Sequence, residues 1–211
     1  MTDNYVRISD LAKKASVLSS TIRHYTDIGL LQVAMETDGG HRLYDVESSM
    51  RRLGFIHSLS KRGRSLDEIK AEMGRRQNHL VVLLVDDEPE VVDFVRSAFE
   101  LYSNKPSGNG KKMPAVDLSV VSDGFTAGKK TSEILPDLVI LDLMLPGING
   151  FKICRAIRED AELAGVKILA ITGYDTEENR RAIMAAGANG YLAKPFGVQE
   201  LIKKLEEMGI W

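Results

Sequence analysis

The second part of the chain, from residue 80 onward, alternates apolar runs with stretches whose apolar residues recur at helical spacing. Each apolar run is typical of a strand that is buried on both faces of a parallel sheet. The expected strands are Leu80–Val85, Val116–Val121, Leu138–Leu141, Lys167–Ile171 and Gly190–Leu192, and a last helix is expected at Val198–Met208. Because crossovers between parallel strands are right-handed, the pattern predicts an α/β, doubly wound, flavodoxin-like (βα)5 domain over residues 80–211.

The first part of the chain, residues 1–76, shows short helical patterns and little strand signal. Ser9 and Ser19 are plausible N-caps of two short helices, and the second helix is expected to end before Gly29. The stretch Ser16–Leu18 between the two helices favours a turn. Two short helices joined by such a turn predict a helix-turn-helix.

A candidate hairpin follows the second helix. The stretches Leu30–Met35 and His41–Tyr44 flank a Gly-rich turn, and this arrangement predicts a wing. Asp45 and Ser65 are placed to cap a third and a fourth helix. We therefore expect a mainly α winged helix-turn-helix domain over residues 1–76, followed by a short linker at 77–79.

Composition narrows the classes of protein to which the chain can belong. Hydrophobic residues make up 44% of the chain and charged residues 27%, which suits a globular protein. No apolar run approaches the roughly 18 residues that span a membrane, and the first residues do not resemble a secretion signal. Cys154 is the single cysteine, so an internal disulfide is excluded. We expect a cytoplasmic protein with no membrane partner.

Charge is distributed unevenly between the two parts. Residues 1–79 contain 13 Lys and Arg against 10 Asp and Glu, whereas residues 80–211 contain 15 against 20. This asymmetry fits a basic nucleic-acid module joined to an acidic module.

The second helix carries residue types that suit DNA. Ile22 and Thr26 share one helical face and can pack inward. The side chains expected to project outward are Thr21, Arg23 and His24, with Tyr25 at the margin. Arg contacts phosphates or guanine edges, and Thr and Tyr contact phosphates; Arg42 on the wing can also reach phosphates. The alternative is a small helical domain whose helix-turn-helix packs only against a protein partner.

Polar residues follow the predicted strands of the second part at the edge where open α/β sheets bind ligands. They are Asp86 and Asp87 after the first strand, Asp142 after the third, Thr172 after the fourth and Lys194 after the fifth. Three clustered carboxylates raise one another's pKa, and Mg²⁺, which prefers oxygen ligands, relieves the repulsion. Asp142 could then attack phosphorus, with Lys194 neutralising charge and the Thr172 hydroxyl donating to a phosphoryl oxygen.

Two other interpretations of the acidic residues fit the sequence less well. A single aspartate at a strand end is usually a solvated turn residue or a helix cap, but the full set at the correct strand ends is improbable by chance. A metal-dependent phosphatase with an Asp-x-Asp motif is a rival. However, the second residue after Asp142 is Met144, which cannot act as an acid–base partner.

Residues 5–73 resemble the DNA-binding domain of the MerR family of bacterial transcription regulators. The motifs that carry the resemblance are Val6–Ala12, Ser20–Tyr25, Ile28–Leu31, Gly40–Tyr44 and Ser65–Lys70. The resemblance implies DNA contacts by Thr21, Arg23, His24, Tyr25, Arg42, Tyr44 and Lys61. His24 stands where the family often has Tyr. The long coiled-coil helix that usually pairs two subunits is missing, because the chain passes almost directly from Met73 to a strand.

Residues 80–208 resemble a response-regulator receiver domain. The motifs that carry the resemblance are Asp86–Pro89, Leu141–Gly150, Ile171–Gly173 and Tyr191–Phe196. The resemblance implies that Asp142 is the phosphoacceptor and that Mg²⁺ is bound by Asp87, Asp142 and the Met144 carbonyl, with Asp86 assisting. It also implies a switch pair of Thr172 and Tyr191, with Lys194 as the catalytic cation and a cis bond before Pro195. One departure from the family is an insertion at Ser103–Met113, expected to be a mobile surface loop.

Taken together, the two resemblances predict a two-component response regulator that controls transcription by binding double-stranded DNA. A sensor histidine kinase or phosphotransfer protein would supply the phosphoryl group, and a homodimer is expected at least when Asp142 is phosphorylated. Self-phosphorylation and dephosphorylation would be the only catalysis. Two alternatives stay open: a signalling adaptor whose MerR-like domain binds protein, and a nucleoid-structuring or recombination-accessory DNA binder.

Overall fold

The protein divides into two compact units, Met1–Arg75 and Arg76–Trp211. The computed structural model describes residues 4–37, 39–77, 79–103, 114–147, 149–163 and 165–210. Most of the insertion predicted to be a mobile loop, from residue 104 to 113, lies outside the described residues. No helix in the described ranges is long and apolar enough to cross a membrane.

The first unit combines helices with a small antiparallel sheet. Its elements are β1 (Tyr5–Arg7), α1 (Ile8–Lys14), α2 (Ser19–Asp27), β2 (Met35–Glu36), β3 (Arg42–Asp45), α3 (Val46–Lys61) and α4 (Leu66–Arg76). The sheet has the order β1-β3-β2, and both neighbouring pairs are antiparallel. Helices α1 and α2 are separated by a short turn, as the sequence predicts.

Two apolar clusters hold the first unit together. The larger contains Leu11, Ala12, Ile22, Leu31, Tyr44 and Leu53, and the smaller contains Leu30, Ile56 and Ile69. All of these side chains are buried, and each fully buried Leu or Ile contributes about 1.5–3 kcal/mol to folding. Since α2 contributes Ile22 to this core, its opposite face remains available to solvent.

Two of the predicted helix caps are confirmed. The side chain of Asp45 accepts a hydrogen bond of 2.8 Å from the backbone N–H of Ser48 at the start of α3. Ser65 and Glu68 form a reciprocal pair at the start of α4. Oε2 of Glu68 accepts from the Ser65 N–H at 2.8 Å, and Oγ of Ser65 accepts from the Glu68 N–H at 3.3 Å. These bonds satisfy N–H groups that a helix leaves unpaired at its first turn.

The predictions for the first two helix starts and for one strand are wrong. Ser9 and Ser19 lie inside α1 and α2, whose N-cap residues are Arg7 and Leu18, and neither cap makes a side-chain hydrogen bond. The strand predicted over Leu30–Met35 shrinks to the two residues of β2. Leu30 and Leu31 instead donate backbone hydrogen bonds to the carbonyl of Tyr25 and fill the core, so their apolar character reflects burial under the helices.

The second unit is a parallel sheet with helices between its strands. Its elements are β4 (His79–Val85), α5 (Pro89–Ser103), β5 (Ala115–Val121), α6 (Gly124–Ile134), β6 (Leu138–Asp142), α7 (Gly150–Glu159), β7 (Lys167–Thr172), α8 (Glu177–Ala185), β8 (Gly190–Ala193) and α9 (Val198–Glu207). The strand order is β5-β4-β6-β7-β8, and every neighbouring pair is parallel. This order confirms the doubly wound prediction. Strand β4 begins at His79, inside the stretch expected to be a linker.

Both faces of this sheet are buried, which explains why its strands are continuous apolar runs. Leu84 and Ile140 face a cluster that also contains Phe99 of α5 and Leu201 of α9. Neighbouring side chains along a strand point to opposite faces, so residues such as Leu83 point away from that cluster. Leu83 is nevertheless fully buried. The central strands are thereby held rigidly, and their carboxyl ends form a fixed platform.

Candidate functional site

The carboxyl ends of the strands bring four polar side chains to one edge of the parallel sheet. Asp86 follows β4, Asp142 ends β6, Thr172 ends β7 and Lys194 follows β8. Asp86, Asp142 and Thr172 are only 1%, 3% and 0% exposed, although polar groups at a strand end usually face solvent. Burial of this kind requires partners for each charge.

The ammonium group of Lys194 supplies those partners. Its Nζ lies 2.7 Å from Oδ2 of Asp142, 2.7 Å from Oε1 of Glu88 and 2.9 Å from Oδ2 of Asp86. The contacts to Asp142 and Glu88 are hydrogen bonds in which Lys194 donates. The backbone N–H of Lys194 also donates to the carbonyl of Thr172 at 2.8 Å, so the ends of β7 and β8 are tied together. The Lys194–Pro195 bond is cis, as the resemblance implies.

Local turns fix the orientation of the polar side chains. Each of three side-chain oxygens accepts a hydrogen bond from the backbone N–H two residues further along the chain. These bonds run from Glu88 to Asp86 at 2.9 Å, from Met144 to Asp142 at 2.9 Å, and from Tyr174 to Thr172 at 3.1 Å. Because Oδ1 of each aspartate is occupied in this way, Oδ2 is the atom that turns towards Lys194.

The charges in the cluster shift one another's protonation. Burial raises the pKa of Asp86, and Lys194 and the Glu88 N–H oppose this rise only in part. Burial alone would lower the pKa of Lys194, but hydrogen bonds to Asp142, Glu88 and Asp86 outweigh it, so that pKa is raised. Lys194 is therefore a permanent cation, whereas Asp86 carries a charge that is only partly compensated.

The arrangement fits a hard divalent cation. Carboxylate oxygens of Asp86, Glu88 and Asp142 lie within 4.8 Å of one another. Oδ2 of Asp86 is buried and, within the described residues, accepts no hydrogen bond of acceptable geometry, although Nζ of Lys194 is nearby. An oxygen without such a bond can coordinate a cation such as Mg²⁺, which prefers carboxylate ligands.

The third acid in the cluster differs from the one that the sequence predicts. Glu88 turns back to Lys194, whereas Asp87 is exposed and contributes no oxygen to the acidic cluster. The consecutive acids do not reveal in the sequence which carboxylate points inward. Met144 holds Asp142 through its N–H, and its side chain is 55% exposed.

Gly150 is a supporting residue that the sequence patterns do not single out. A Cβ atom at this position would lie 2.5 Å from the carbonyl oxygen of Asp142 and 2.8 Å from Cα of Leu143. Helix α7 can therefore begin beside Asp142 only because residue 150 has no side chain. Asn149 caps the helix by accepting from the Phe151 N–H at 2.8 Å.

Tyr191 of β8 lies outside the cluster, in a polar environment of its own. Its hydroxyl donates to Oδ1 of Asp175 at 3.1 Å, and the guanidinium carbon of Arg180 lies 5.2 Å from the ring centroid. Arg180 also approaches Asp175 at 3.4 Å. Burial and the bond to Asp175 raise the pKa of Tyr191 to about 12. The ring is thus held by Asp175 and Arg180 next to the strand that carries Thr172.

The residues predicted to contact DNA fall into different environments in the first unit. Arg23 and His24 are exposed on α2, and Lys61 is exposed at the end of α3. Thr21 is half-buried. Tyr25 is also half-buried, and its side chain packs against both apolar clusters.

Tyr44 is a correction to that set, whereas Arg42 remains accessible. Tyr44 is completely buried, and its hydroxyl lies 3.1 Å from Oγ1 of Thr26, so it joins β3 to α2 and cannot reach DNA. In the sequence its position beside Arg42 does not distinguish a surface tyrosine from a core tyrosine. Arg42 donates to Oδ1 of Asp27 at 3.2 Å.

Comparison with protein families agrees with the division into two units. The family described as "Response regulator receiver domain" matches residues 82–206, and the family described as "MerR HTH family regulatory protein" matches residues 6–75. The first match covers more than half of the chain. The protein therefore belongs to the response regulator receiver domain family.

Individual relatives match the second unit. The chain is 34% identical over 124 residues to the DNA-binding response regulator MtrA of Mycolicibacterium smegmatis, covering 59% of this chain and 48% of MtrA. It thus spans about half the length of the curated relatives that it matches.

Solved receiver structures show the same fold. One is the signal receiver domain of a DNA-binding response regulator (merR) from Colwellia psychrerythraea, with a TM-score of 0.53, 27% identity and coverage of 63% of this chain and 99% of that one. Another is the receiver domain of a sensor histidine kinase from Pseudomonas aeruginosa, with magnesium coordinated in its active-site cleft. It has a TM-score of 0.52 and 26% identity, and covers 62% of this chain and 98% of that one.

Proposed function

We propose that this protein is a two-component response regulator in which phosphorylation of Asp142 controls DNA binding by the first unit. The phosphoryl donor would be a sensor histidine kinase or a phosphotransfer protein. The observation that carries the proposal is the buried cluster of Asp86, Asp142 and Lys194, in which a nucleophilic carboxylate lies 2.7 Å from a permanent cation. Transcription control is the proposed output, since MtrA is a DNA-binding response regulator.

The chain's own residues account for the phosphoryl transfer. A carboxylate oxygen of Asp142 would attack phosphorus while the bond from phosphorus to the donor's imidazole nitrogen breaks. The Lys194 ammonium is placed to neutralise charge on the transferring oxygens. Because Oγ1 of Thr172 accepts from a backbone N–H, its own proton remains available to a phosphoryl oxygen. Self-phosphorylation and its reversal are the only catalysis that we assign.

We assign Mg²⁺ to the same cluster. Asp86, Asp87, Asp142 and the carbonyl of Met144 are the proposed ligands, and the position of Glu88 makes it a further candidate. When bound, the ion would neutralise negative charge on the phosphoryl oxygens. The buried Oδ2 of Asp86 supports this assignment, because a second cation would satisfy an oxygen that Lys194 does not hydrogen-bond.

Thr172 and Tyr191 are the proposed switch. A phosphoryl group on Asp142 would draw Thr172 inward, and Tyr191 would rotate into the space left behind, changing the surface of α8, β8 and α9. For this rotation Tyr191 must leave its hydrogen bond to Asp175. Homodimerisation through the altered surface would tether two DNA-binding units and raise DNA affinity through effective concentration.

The match to the MerR family supports a DNA-binding role for the first unit. Its α1–turn–α2 segment would be the helix-turn-helix, with the β2–β3 hairpin as the wing. Arg23 and His24, exposed on α2, are the proposed groove-facing residues, and Arg42 and Lys61 are the proposed phosphate contacts.

The proposal is tested by selecting genomic DNA fragments with the purified chain, with and without beryllofluoride and Mg²⁺. Tighter, sequence-specific binding with the phosphate mimic is the expected result. Asp142→Asn, which cannot form the acyl phosphate, should show no response to the mimic. Broad binding without sequence preference would instead favour a nucleoid-structuring or recombination-accessory role. Absence of DNA binding in both states would overturn the proposal in favour of a signalling adaptor.

A further inference from the structure

An open cleft of about 490 Å³ in the first unit collects cationic side chains from separate elements. Arg7 comes from β1, Arg23 from α2, and His41 and Arg42 from the hairpin, while one acid, Asp27 of α2, also lines the cleft. Arg23 and Asp27 are four residues apart and so share one face of α2.

Strand pairing explains why these distant residues meet. Arg7 of β1 lies opposite Leu43 of β3, directly beside Arg42 in the chain. The hydroxyl contact of 3.1 Å between Tyr44 and Thr26 fixes β3 against α2. Because rigid elements supply all three arginines, the cleft is formed before any ligand arrives.

The three guanidinium groups differ in how they are paired. Arg42 donates to Asp27 at 3.2 Å and lies 4.0 Å from Glu36, but the side chains of Arg42 and Asp27 are 44% and 55% exposed. Ion pairs with this exposure are weak. Within the described part of the chain, Arg7 and Arg23 form no side-chain hydrogen bond or ion pair. The cleft therefore offers two unpaired guanidinium groups and one that a stronger anion can recruit.

We propose that this cleft holds one backbone phosphate of DNA, contacted by Arg7 together with Arg23 and Arg42, and that Asp27 is a resident counter-ion which the phosphate displaces from Arg42. The planar guanidinium fork matches phosphate oxygens, so a phosphodiester is the ligand class that suits three converging arginines. Asp27 remains in the cleft after displacement and repels the phosphate, so it limits affinity. The inference rests on the DNA binding proposed above, and it adds a contact, Arg7, and an internal competitor, Asp27.

Fluorescence anisotropy of the full chain, with a duplex recovered by selection with the wild type, tests this inference over a series of NaCl concentrations. Asp27→Asn should bind about three- to tenfold more tightly at low salt, and the gain should shrink as salt screens the cleft. Arg7→Ala should bind about tenfold more weakly, and its log–log salt slope should be lower by about 0.9. In an Arg42→Ala background, Asp27→Asn should gain clearly less.

A matched control removes one negative charge from the same unit outside the cleft. Asp67→Asn, on the exposed side of α4, should leave affinity almost unchanged, and circular dichroism melting checks that every variant is folded. If Asp27→Asn matches Asp67→Asn, gains equally with and without Arg42, or binds more weakly than wild type, the competitor role is overturned. An unchanged salt slope for Arg7→Ala overturns the added contact. In both cases wild-type DNA binding stands, whereas a wild type that binds no duplex would overturn the proposed function itself.

Discussion

The two charged sites of this protein differ in how they treat their charges. In the receiver unit, Asp86 and Asp142 are buried and share one lysine at 2.9 and 2.7 Å. In the first unit, Arg7 and Arg23 are exposed, and Arg42 has only an exposed partner. Charges in a low-dielectric environment interact strongly and are little screened by salt, whereas exposed charges interact weakly and are screened within about 10 Å at 0.1 M salt.

This difference suits two kinds of chemistry. A site that forms a covalent bond needs groups held at fixed distances, and burial among the strands of a rigid sheet provides them. A surface that meets a long polyanion gains from several weak, independent contacts, because released counterions supply much of the affinity. The same chain thus places its pre-paired charges at the sheet edge and its accessible charges on the helix and hairpin.

The largest expected effect comes from removing the nucleophile of the buried site. Asp142→Asn should abolish incorporation of phosphate from a small-molecule donor such as acetyl phosphate, because an amide cannot form the acyl phosphate. Intact-mass spectrometry measures the incorporation. Asp93→Asn, which neutralises an exposed acid on α5, is the control and should be phosphorylated normally. Equal phosphorylation of Asp142→Asn and the wild type would place the phosphoacceptor elsewhere.

Backbone packing around the buried site gives the next prediction. Gly150→Ala should lower the free energy of unfolding by about 1–3 kcal/mol, because its Cβ would overlap the carbonyl oxygen of Asp142. Gly128→Ala is the matched control: this residue lies on the exposed side of α6 with nothing within 4 Å of the added Cβ. That change should be neutral or stabilise by up to about 1 kcal/mol. Urea unfolding measures both, and similar stability of the two variants would contradict the close approach.

Salt separates the two sites directly. Arg23→Ala should weaken DNA binding by about tenfold at low salt, and its salt slope should fall by about 0.9, as expected for one lost phosphate contact. The rate of Mg²⁺-dependent phosphorylation should change little between about 50 and 200 mM NaCl, because the buried pairs are poorly screened. Parallel anisotropy and phosphorylation assays test this contrast. A phosphorylation rate that falls as steeply as DNA affinity would remove the distinction between the sites.

The smallest effect concerns the tyrosine beside the buried site. The pKa of Tyr191 is raised from 10.0 to about 12, so its contribution to stability is fully present below pH 10 and is lost as pH rises through about 12. Asp175→Asn should lower this pKa towards 10.0, because it removes the charge that opposes ionisation. Tyrosinate absorbance, taken as the difference from Tyr191→Phe, measures the titration. An unchanged pKa would mean that Asp175 does not hold the ring.

Sequence patterns predict the receiver unit well because its strands are buried on both faces. A short, continuous apolar run such as Leu138–Leu141, set between helical stretches, is typical of such a strand, and each strand lies within about a residue of its predicted ends. The first unit is predicted less well. Strand β1 has three residues and exists through pairing with β3, so no local periodicity could announce it. Leu30 and Leu31 mimic a strand because burial beneath helices also selects apolar residues.

By itself, the sequence determined which chemical groups stand at each strand end, since strand periodicity and the sharp change from apolar to polar residues are local. It placed Asp142 and Lys194 at a common edge through topology alone. Only the tertiary structure decided that Glu88 rather than Asp87 reaches Lys194, that Tyr44 is buried, and that Asp27 occupies Arg42. These outcomes depend on which side chains approach one another across elements distant in sequence, and no local pattern of residues encodes that distance.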